Sequence, residues 1–371
     1  MTKRQFLGIV SGSFLIASTG GYFLSDKHNI TRDNNDKNLI VKTPLLPDEV
    51  FILYLSSLAP SGHNTQPWFV KYIAPYHWVI GNDKTKWLPA VDPTQRETIL
   101  SIGAFVQNLE YAANNLGYNC AFSVVATSNQ DTEIIGVRLS KTTAAIKFDI
   151  KKIKNRITVR SYYLSEAINK KDLNFLFNNE PDFFHFLPNT SKEFTLINQQ
   201  TIEANRFQSY HNDAQKELAG WIRFASKDAA QYADGLTIAS MELSGIPAWV
   251  LRNFYTKQSV MKKAFRDQNI DTVTKQVAMS GGWLLITSKG NDVTTLLETG
   301  KRLQRLFLKV RERQIAIHPM TQILEDPAIN ETLNPSIGIT DTVQFILRVG
   351  YIKNYPEPMS LRRPVDGFVR M

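Results

Sequence analysis

Two short stretches of this 371-residue chain carry residue types whose spacing could hold a charged ligand. In Arg156-Ile157-Thr158-Val159-Arg160, two arginines flank a threonine at alternate positions. In an extended segment positions 156, 158 and 160 point to one face, so two guanidiniums and a hydroxyl can converge on one dianion. Guanidinium groups make forked bonds to such oxygens, each contributing roughly 1.5–3 kcal/mol. Basic residues alternating along a solvated strand give the same pattern, so the stretch gains weight only beside a companion. That companion is Ala59-Pro60-Ser61-Gly62-His63-Asn64-Thr65-Gln66-Pro67-Trp68. Pro60, Ser61 and Gly62 let the backbone bend and approach a partner closely, and Asn64 offers both a donor and acceptors. A helix-ending turn capped by Ser and Asn would not require Gln-Pro-Trp after it.

Other chemistries lack their residues. The one cysteine, Cys120, can form neither an intrachain disulfide nor a thiolate metal site. None of the six histidines falls in an HExxH or HxH pair, which argues against a metal centre. Ser61 and His63 are two apart and no G-x-S-x-G elbow is present, so a hydrolase is disfavoured. No G-x-G-x-x-G follows a strand, so a permanently bound dinucleotide is not expected. The net charge of +9 suits phosphate or anionic partners, but it is spread along the chain without a nucleic-acid-binding signature, and no nucleic-acid partner is expected.

The elements that must position these residues are repeated. Gly103-Ala104-Phe105-Val106-Gln107-Asn108-Leu109 can be laid over Gly300-Lys301-Arg302-Leu303-Gln304-Arg305-Leu306 at a constant offset of 197. Apolar residues recur at helical spacing in both, and a strand-like run (His77 to Ile80, Trp283 to Thr287) and a Gly-Asn-Asp turn (residues 81–83, 290–292) precede each. Asp48 to Leu58 reads as a helix before the Pro60 loop, and Phe69 to Ile73 and Tyr118 to Thr127 read as strands. Half one runs from about Pro44 to Ile150 (44–150), half two from Lys151 to the end (151–371). Half two also carries an extra helical stretch, about 201–263, broken at Asp234-Gly235; it serves either as a lid over a cleft or as a packing layer.

The Pro60 string closely resembles the A-P-S-x-x-N-x-Q-P-W segment of the nitroreductase superfamily, and Arg156 to Arg160 resembles the R-x-S/T-x-K/R signature that opens its domains. The resemblance implies an α+β fold with mixed and antiparallel sheets flanked by helices. It implies FMN as cofactor, with Pro60, Ser61, Gly62 and Asn64 against the flavin ring and Arg156, Thr158 and Arg160 on its phosphate. Arg348-Val349-Gly350-Tyr351 followed by Arg362-Arg363-Pro364 resembles the family's closing strand and basic tail; Arg363, or alternatively Arg362, then also reaches the phosphate. Gln322, in Ile317-His318-Pro319-Met320-Thr321-Gln322, falls where the family meets the flavin near N5, although the usual Glu-Gly is missing. Half one has the loop but no R-x-S/T-x-R, and half two the reverse. This complementary loss leaves one composite site per chain, as in the Acg-type branch, where one chain holds two nitroreductase-like domains in a tandem pseudo-dimer. The expected activity is electron transfer from NADH or NADPH, a transient donor, to a small acceptor such as a quinone or nitro compound, with no catalytic side chain required. The alternative is an FMN-storage protein with an occluded site. The chain is expected to be a monomeric pseudo-dimer or a homodimer.

Residues 1–37 stand apart. Lys3 and Arg4 precede an apolar stretch from Phe6 to Leu24, and a polar segment follows. This is the shape of an export signal or a membrane anchor, and Thr2-Lys3-Arg4-Gln5-Phe6-Leu7 resembles a twin-arginine motif with Lys for the first Arg. The expectation is an exported, periplasmic protein or one anchored to the inner membrane, touching membrane only through this segment; a cytoplasmic protein is the alternative.

Overall fold

The computed structural model describes residues 26, 29–32, 44–144, 146–177 and 180–371. The apolar stretch Phe6–Leu24 and the twin-arginine-like run lie outside the described residues. Among the described residues no helix is long and apolar enough to cross a membrane. Of the polar segment that follows, Asp26 is held in place, its carboxylate accepting from Ser226 N (2.6 Å) and Oγ (2.8 Å).

The centre of the molecule is a pair of long helices, α1 (Arg96–Asn115) and α2 (Val293–Val310). The middle of α1 is buried all round, from Thr98 to Leu109, as befits a helix enclosed on every side. The two pack tightly because each has a glycine at the crossing. A Cβ on Gly103 would lie 2.1 Å from the Leu297 carbonyl oxygen, and one on Gly300 would lie 2.0 Å from that of Leu100. Leu297 is Leu100 plus 197, and Gly300 is Gly103 plus 197, so each contact is the mirror of the other. Polar contacts repeat the relation: Gln304 Nε2 donates to Asn108 Oδ1 (2.7 Å), and Arg305 Nη1 to Gln107 Oε1 (2.8 Å). Such reciprocity is the mark of a twofold, isologous interface, here inside one chain.

Each central helix packs on its own sheet. Strands β1 (Trp68–Ala74), β2 (His77–Asn82), β3 (Tyr118–Val124) and β4 (Glu133–Lys141) pair antiparallel behind α1. Strands β5 (Phe184–Pro188), β6 (Gly282–Ser288), β7 (Ile315–Pro319) and β8 (Thr342–Tyr351) form an all-antiparallel sheet behind α2. The last strand, β9 (Val369–Arg370), runs parallel to β1, so the C-terminal residues cross back to the first sheet. The fold is α+β with mixed and antiparallel sheets flanked by helices.

The structure departs from the sequence reading in three places. Gly81 and Asn82 belong to β2 rather than to a turn; a Cβ on Gly81 would strike the Phe69 ring, and the turn begins at Asp83, whose side chain accepts from Thr85 N. Arg156 to Arg160 is not a ladder strand: one backbone bond, Val159 N to Ile317 O (3.3 Å), ties it to the second sheet. The helical excess is a succession of helices: α3 (Lys192–Tyr210) packs Phe194, Ile197 and Ala204 with Trp283 and Leu285 of the second sheet, while α4 (Asn212–Trp221) and α5 (Gly245–Phe254) surround an apolar cluster of their own that includes Ala219, Ile222, Phe224 and Ala248. The break at Asp234-Gly235 holds: Gly235 has φ +71°, and a Cβ there would sit 2.3 Å from the Trp221 carbonyl.

Candidate functional site

The loop after the helix Pro47–Ser57 is sharply bent. Three of its residues, His63, Asn64 and Gln66, have left-handed φ of 46°, 55° and 54°, a conformation that costs a residue with a Cβ roughly 1–2 kcal/mol. Hydrogen bonds to two distant segments hold it there. Asn64 Nδ2 donates to the carbonyls of Gly235 (3.0 Å) and Leu361 (3.2 Å), and Gly235 N donates to Asn64 O (3.0 Å). Gln66 Nε2 donates to Ala233 O (2.9 Å), while its Oε1 accepts from Arg363 N (2.9 Å). Asn64 therefore uses its amide on the protein's own backbone, which fixes the loop's shape.

The arginines expected at a phosphate divide. Arg362 donates to the carbonyls of Ser57 (2.6 Å), Leu58 (3.3 Å) and Ala59 (3.0 Å), and Arg156 Nε also donates to Leu58 O (3.2 Å). Both guanidiniums gather at the C-terminus of the Pro47–Ser57 helix, where unpaired carbonyls and the helix dipole attract cations. Arg363 Nη2 donates to Gln66 O (2.6 Å) and Trp68 O (2.7 Å). Arg156 retains one unused group: its Nη1 is buried and has no hydrogen-bond partner among the described residues.

Beside this loop lies a cavity of about 220 Å³. Pro60, Ser61, Gly62 and His63 form one wall, and Thr158, Arg160 and His318 another. Glu97, Thr321, Gln322 and Glu325 form a third, with Leu100, Ala104 and Leu303 of the central helices as its floor. Six residues singled out from sequence thus share one wall system: Pro60, Ser61, Gly62, Thr158, Arg160 and Gln322. Asn64, Arg156 and Arg363 are not on it, because backbone carbonyls have claimed them.

The two ends of the cavity differ in charge. Arg160 donates through Nη1 to Ser240 O (2.9 Å), and Glu242 takes its backbone N–H (2.6 Å). Arg348 donates to the carbonyls of Arg160 (3.1 Å) and Ser161 (2.9 Å). Burial, then the nearby Arg160 charge, pulls His63 down to about 4. Burial, then Arg348 and Arg160, lowers His318 well below the usual imidazole range. Both rings are therefore neutral at pH 7, and each has a buried Nδ1 without a partner among the described residues. The opposite end is acidic. Burial, then Glu97, pushes Asp92 up to about 7, and the same causes raise Glu325 well above the usual carboxylate range.

Sequence reasoning gave no site role to Glu97, Glu325, His63 or His318. A weak signal existed for Glu325, which lies one helical turn after Thr321. Glu97 lies in the first turn of α1, far along the chain from Thr321 and Glu325, and only the fold brings the three together.

No family model matches the chain. It is 22% identical over 313 residues to the probable NAD(P)H nitroreductase PigM of Serratia, a match covering 80% of this chain and 86% of that one. It is 23% identical over 331 residues to the putative NAD(P)H nitroreductase acg of Mycobacterium tuberculosis, covering 84% and 92%. Among solved structures, a putative nitroreductase from Anabaena variabilis aligns over 88% of this chain and 93% of its own at 11% identity. Its TM-score of 0.34 is too loose a superposition to locate any residue.

Proposed function

The chain belongs to the nitroreductase superfamily, in its Acg-type branch, and on that premise we propose that this oxidoreductase binds one FMN per chain in the cavity between the Pro60 loop and Arg160. The observation that carries the reading is that Pro60 to His63, from the first half, and Thr158, Arg160 and Gln322, from the second, line one cavity. The buried, unpartnered polar atoms of its lining residues also fit a bound polar ligand: His63 Nδ1, Gln322 Oε1 and His318 Nδ1.

FMN, when bound, supplies the two-electron chemistry, and the chain supplies position and field. Arg160 and Thr158 would hold the phosphate. The backbone at Gly62, which carries no Cβ, would lie against the ring beside Ser61, with Gln322 at its edge. Neutral His63 and His318 can donate or accept a hydrogen bond without adding a cation beside Arg160. The electron donor in this reading is NADH or NADPH, after the names of the relatives, and the acceptor is a small quinone or nitro compound.

A second reading, FMN storage, is favoured by one observation. The 233–235 turn is bonded to the Pro60 loop through buried groups, and about 220 Å³ is below the roughly 300–1,000 Å³ of most small-molecule sites. Entry of a whole mononucleotide therefore requires the α3–α5 segment to move outward. The two readings separate in an anaerobic cuvette. Bleaching by NADH or NADPH and recolouring by a quinone support the oxidoreductase; oxidised flavin that persists under both donors supports storage.

A further inference from the structure

The acidic wall of the cavity contains a chain of groups that binding alone does not require. Thr321 Oγ1 lies 3.1 Å from Glu97 Oε1 and 3.4 Å from Glu325 Oε1. A threonine hydroxyl has one hydrogen, and an ionised carboxylate can only accept. If both acids were ionised, one of these two contacts would be oxygen facing oxygen with no proton between them. The arrangement is satisfied when one carboxyl keeps its proton and donates to Thr321 Oγ1, while Thr321 donates to the other.

The surroundings say which acid keeps it. Glu97 has a cation beside it: Arg96 Nη2 is 3.2 Å from its Oε1. Glu325 is hydrogen-bonded by a neutral amide, that of Gln208 on α3, and faces Glu97 and Asp92; the Arg96 charge acts on it more weakly than burial and Glu97 do. Three carboxylates thus share one arginine, whose other bonds go to the Gln344 carbonyl (2.8 Å) and Oε1 (3.0 Å). The remaining charged or titratable groups on the cavity, Arg160, His63 and His318, line its other walls. Burial and the charge of Glu97 both favour the neutral form of Glu325. Glu97 also reaches the ligand side of the wall, because a Cβ on Gly62 would meet its Oε2 at 3.3 Å.

We propose that Glu325, Thr321 and Glu97 form a proton relay that delivers a proton to the cavity. What the relay serves rests on the proposed function; that the two acids share a proton does not. Reduction of a quinone takes one hydride equivalent, drawn ultimately from the reduced nicotinamide, and one proton. The hydride equivalent leaves an oxyanion on the quinone, and the proton completes the hydroquinone. Glu325 gives its proton to Thr321 Oγ, the Thr321 hydrogen passes to Glu97, and Glu97 gives a proton to the quinone oxygen. Glu325 is left as carboxylate and is reprotonated from solvent.

The full chain is tested in two steps. Infrared spectra at pH 7 of the resting full chain carrying Asp92→Asn, which removes the other raised carboxyl and serves as the parent here, should show in H2O and D2O the C=O stretch of a protonated carboxylic acid, shifted by deuterium. Glu325→Gln should abolish it, Thr321→Val should move it, and Thr321→Ser should restore it. Reduction of a quinone by the pre-reduced protein should slow roughly 100-fold in Glu325→Gln, with flavin content and melting temperature near those of the parent. A parent without the band, or a band untouched by Glu325→Gln, overturns the shared proton. A band lost in Glu325→Gln with quinone reduction at the parent rate overturns delivery. A colourless parent refutes the proposed function instead and leaves the infrared result to stand alone.

Discussion

Gly103 and Gly300 face each other across the central helix pair, each with its Cα under the other's turn and a leucine carbonyl where a Cβ would go. Replacing either by Ala should therefore destabilise the protein, by roughly 1–3 kcal/mol as overpacking does. The two changes act at one contact, so their effects should not add. Denaturant melts of both single variants and the double variant check this.

Arg363→Ala should act on the fold. It strips donors from the Gln66 and Trp68 carbonyls, and each buried acceptor left unpaired costs about 1–3 kcal/mol. The melting temperature should fall, while the flavin bound per folded chain stays at the parent value. Selective loss of flavin with an unchanged melt would return Arg363 to the phosphate.

Asp92 gives a pH signature of definite sign. Its folded value near 7 exceeds its ordinary 3.8, so the native state holds the extra proton between those limits and stability falls as pH rises through them. His63 works the other way: its value near 4 against 6.5 makes stability rise with pH over that window. The two slopes oppose each other from about pH 4 to 6.5. Asp92→Asn removes the falling slope, so this variant should gain stability relative to the parent as pH increases from 4 to 7. Chemical denaturation across that range reads the difference, and a constant difference would rule the assignment out.

The buried Asp234 carboxylate joins Lys86 (2.7 Å), beside the Pro60 loop's sheet, to Arg223 (2.7 Å) in the α3–α5 segment. Asp234→Ala leaves two poorly solvated cations, a change that typically costs about 3–5 kcal/mol. If this contact keeps the segment closed over the cavity, flavin should dissociate faster from the variant and proteases should cut earlier within 212–260. Unchanged dissociation would place the closure elsewhere.

These residues show what was legible in the sequence. Gly, Gln and Leu at the 197-residue offset identified the helix pair, because glycine at a crossing is a packing necessity that composition reveals. The small residues of the Pro60 loop marked a cavity wall for a similar reason. The arginines were harder to read. A guanidinium that caps a helix C-terminus and one that holds a phosphate look alike in sequence, and only the position of Leu58 O distinguished Arg156 from Arg160. Glu97 and Glu325 were hidden because their meaning arises from tertiary contact through Thr321.

The central claim is one mononucleotide per chain at a wall shared by the two halves. Its most direct test is the mass and stoichiometry of the cofactor released from the purified full chain and from an Arg156→Ala/Arg160→Ala double variant. The account predicts one FMN per chain in the parent and a colourless, folded double variant. Two flavins per chain, none, or full retention by the double variant would contradict it.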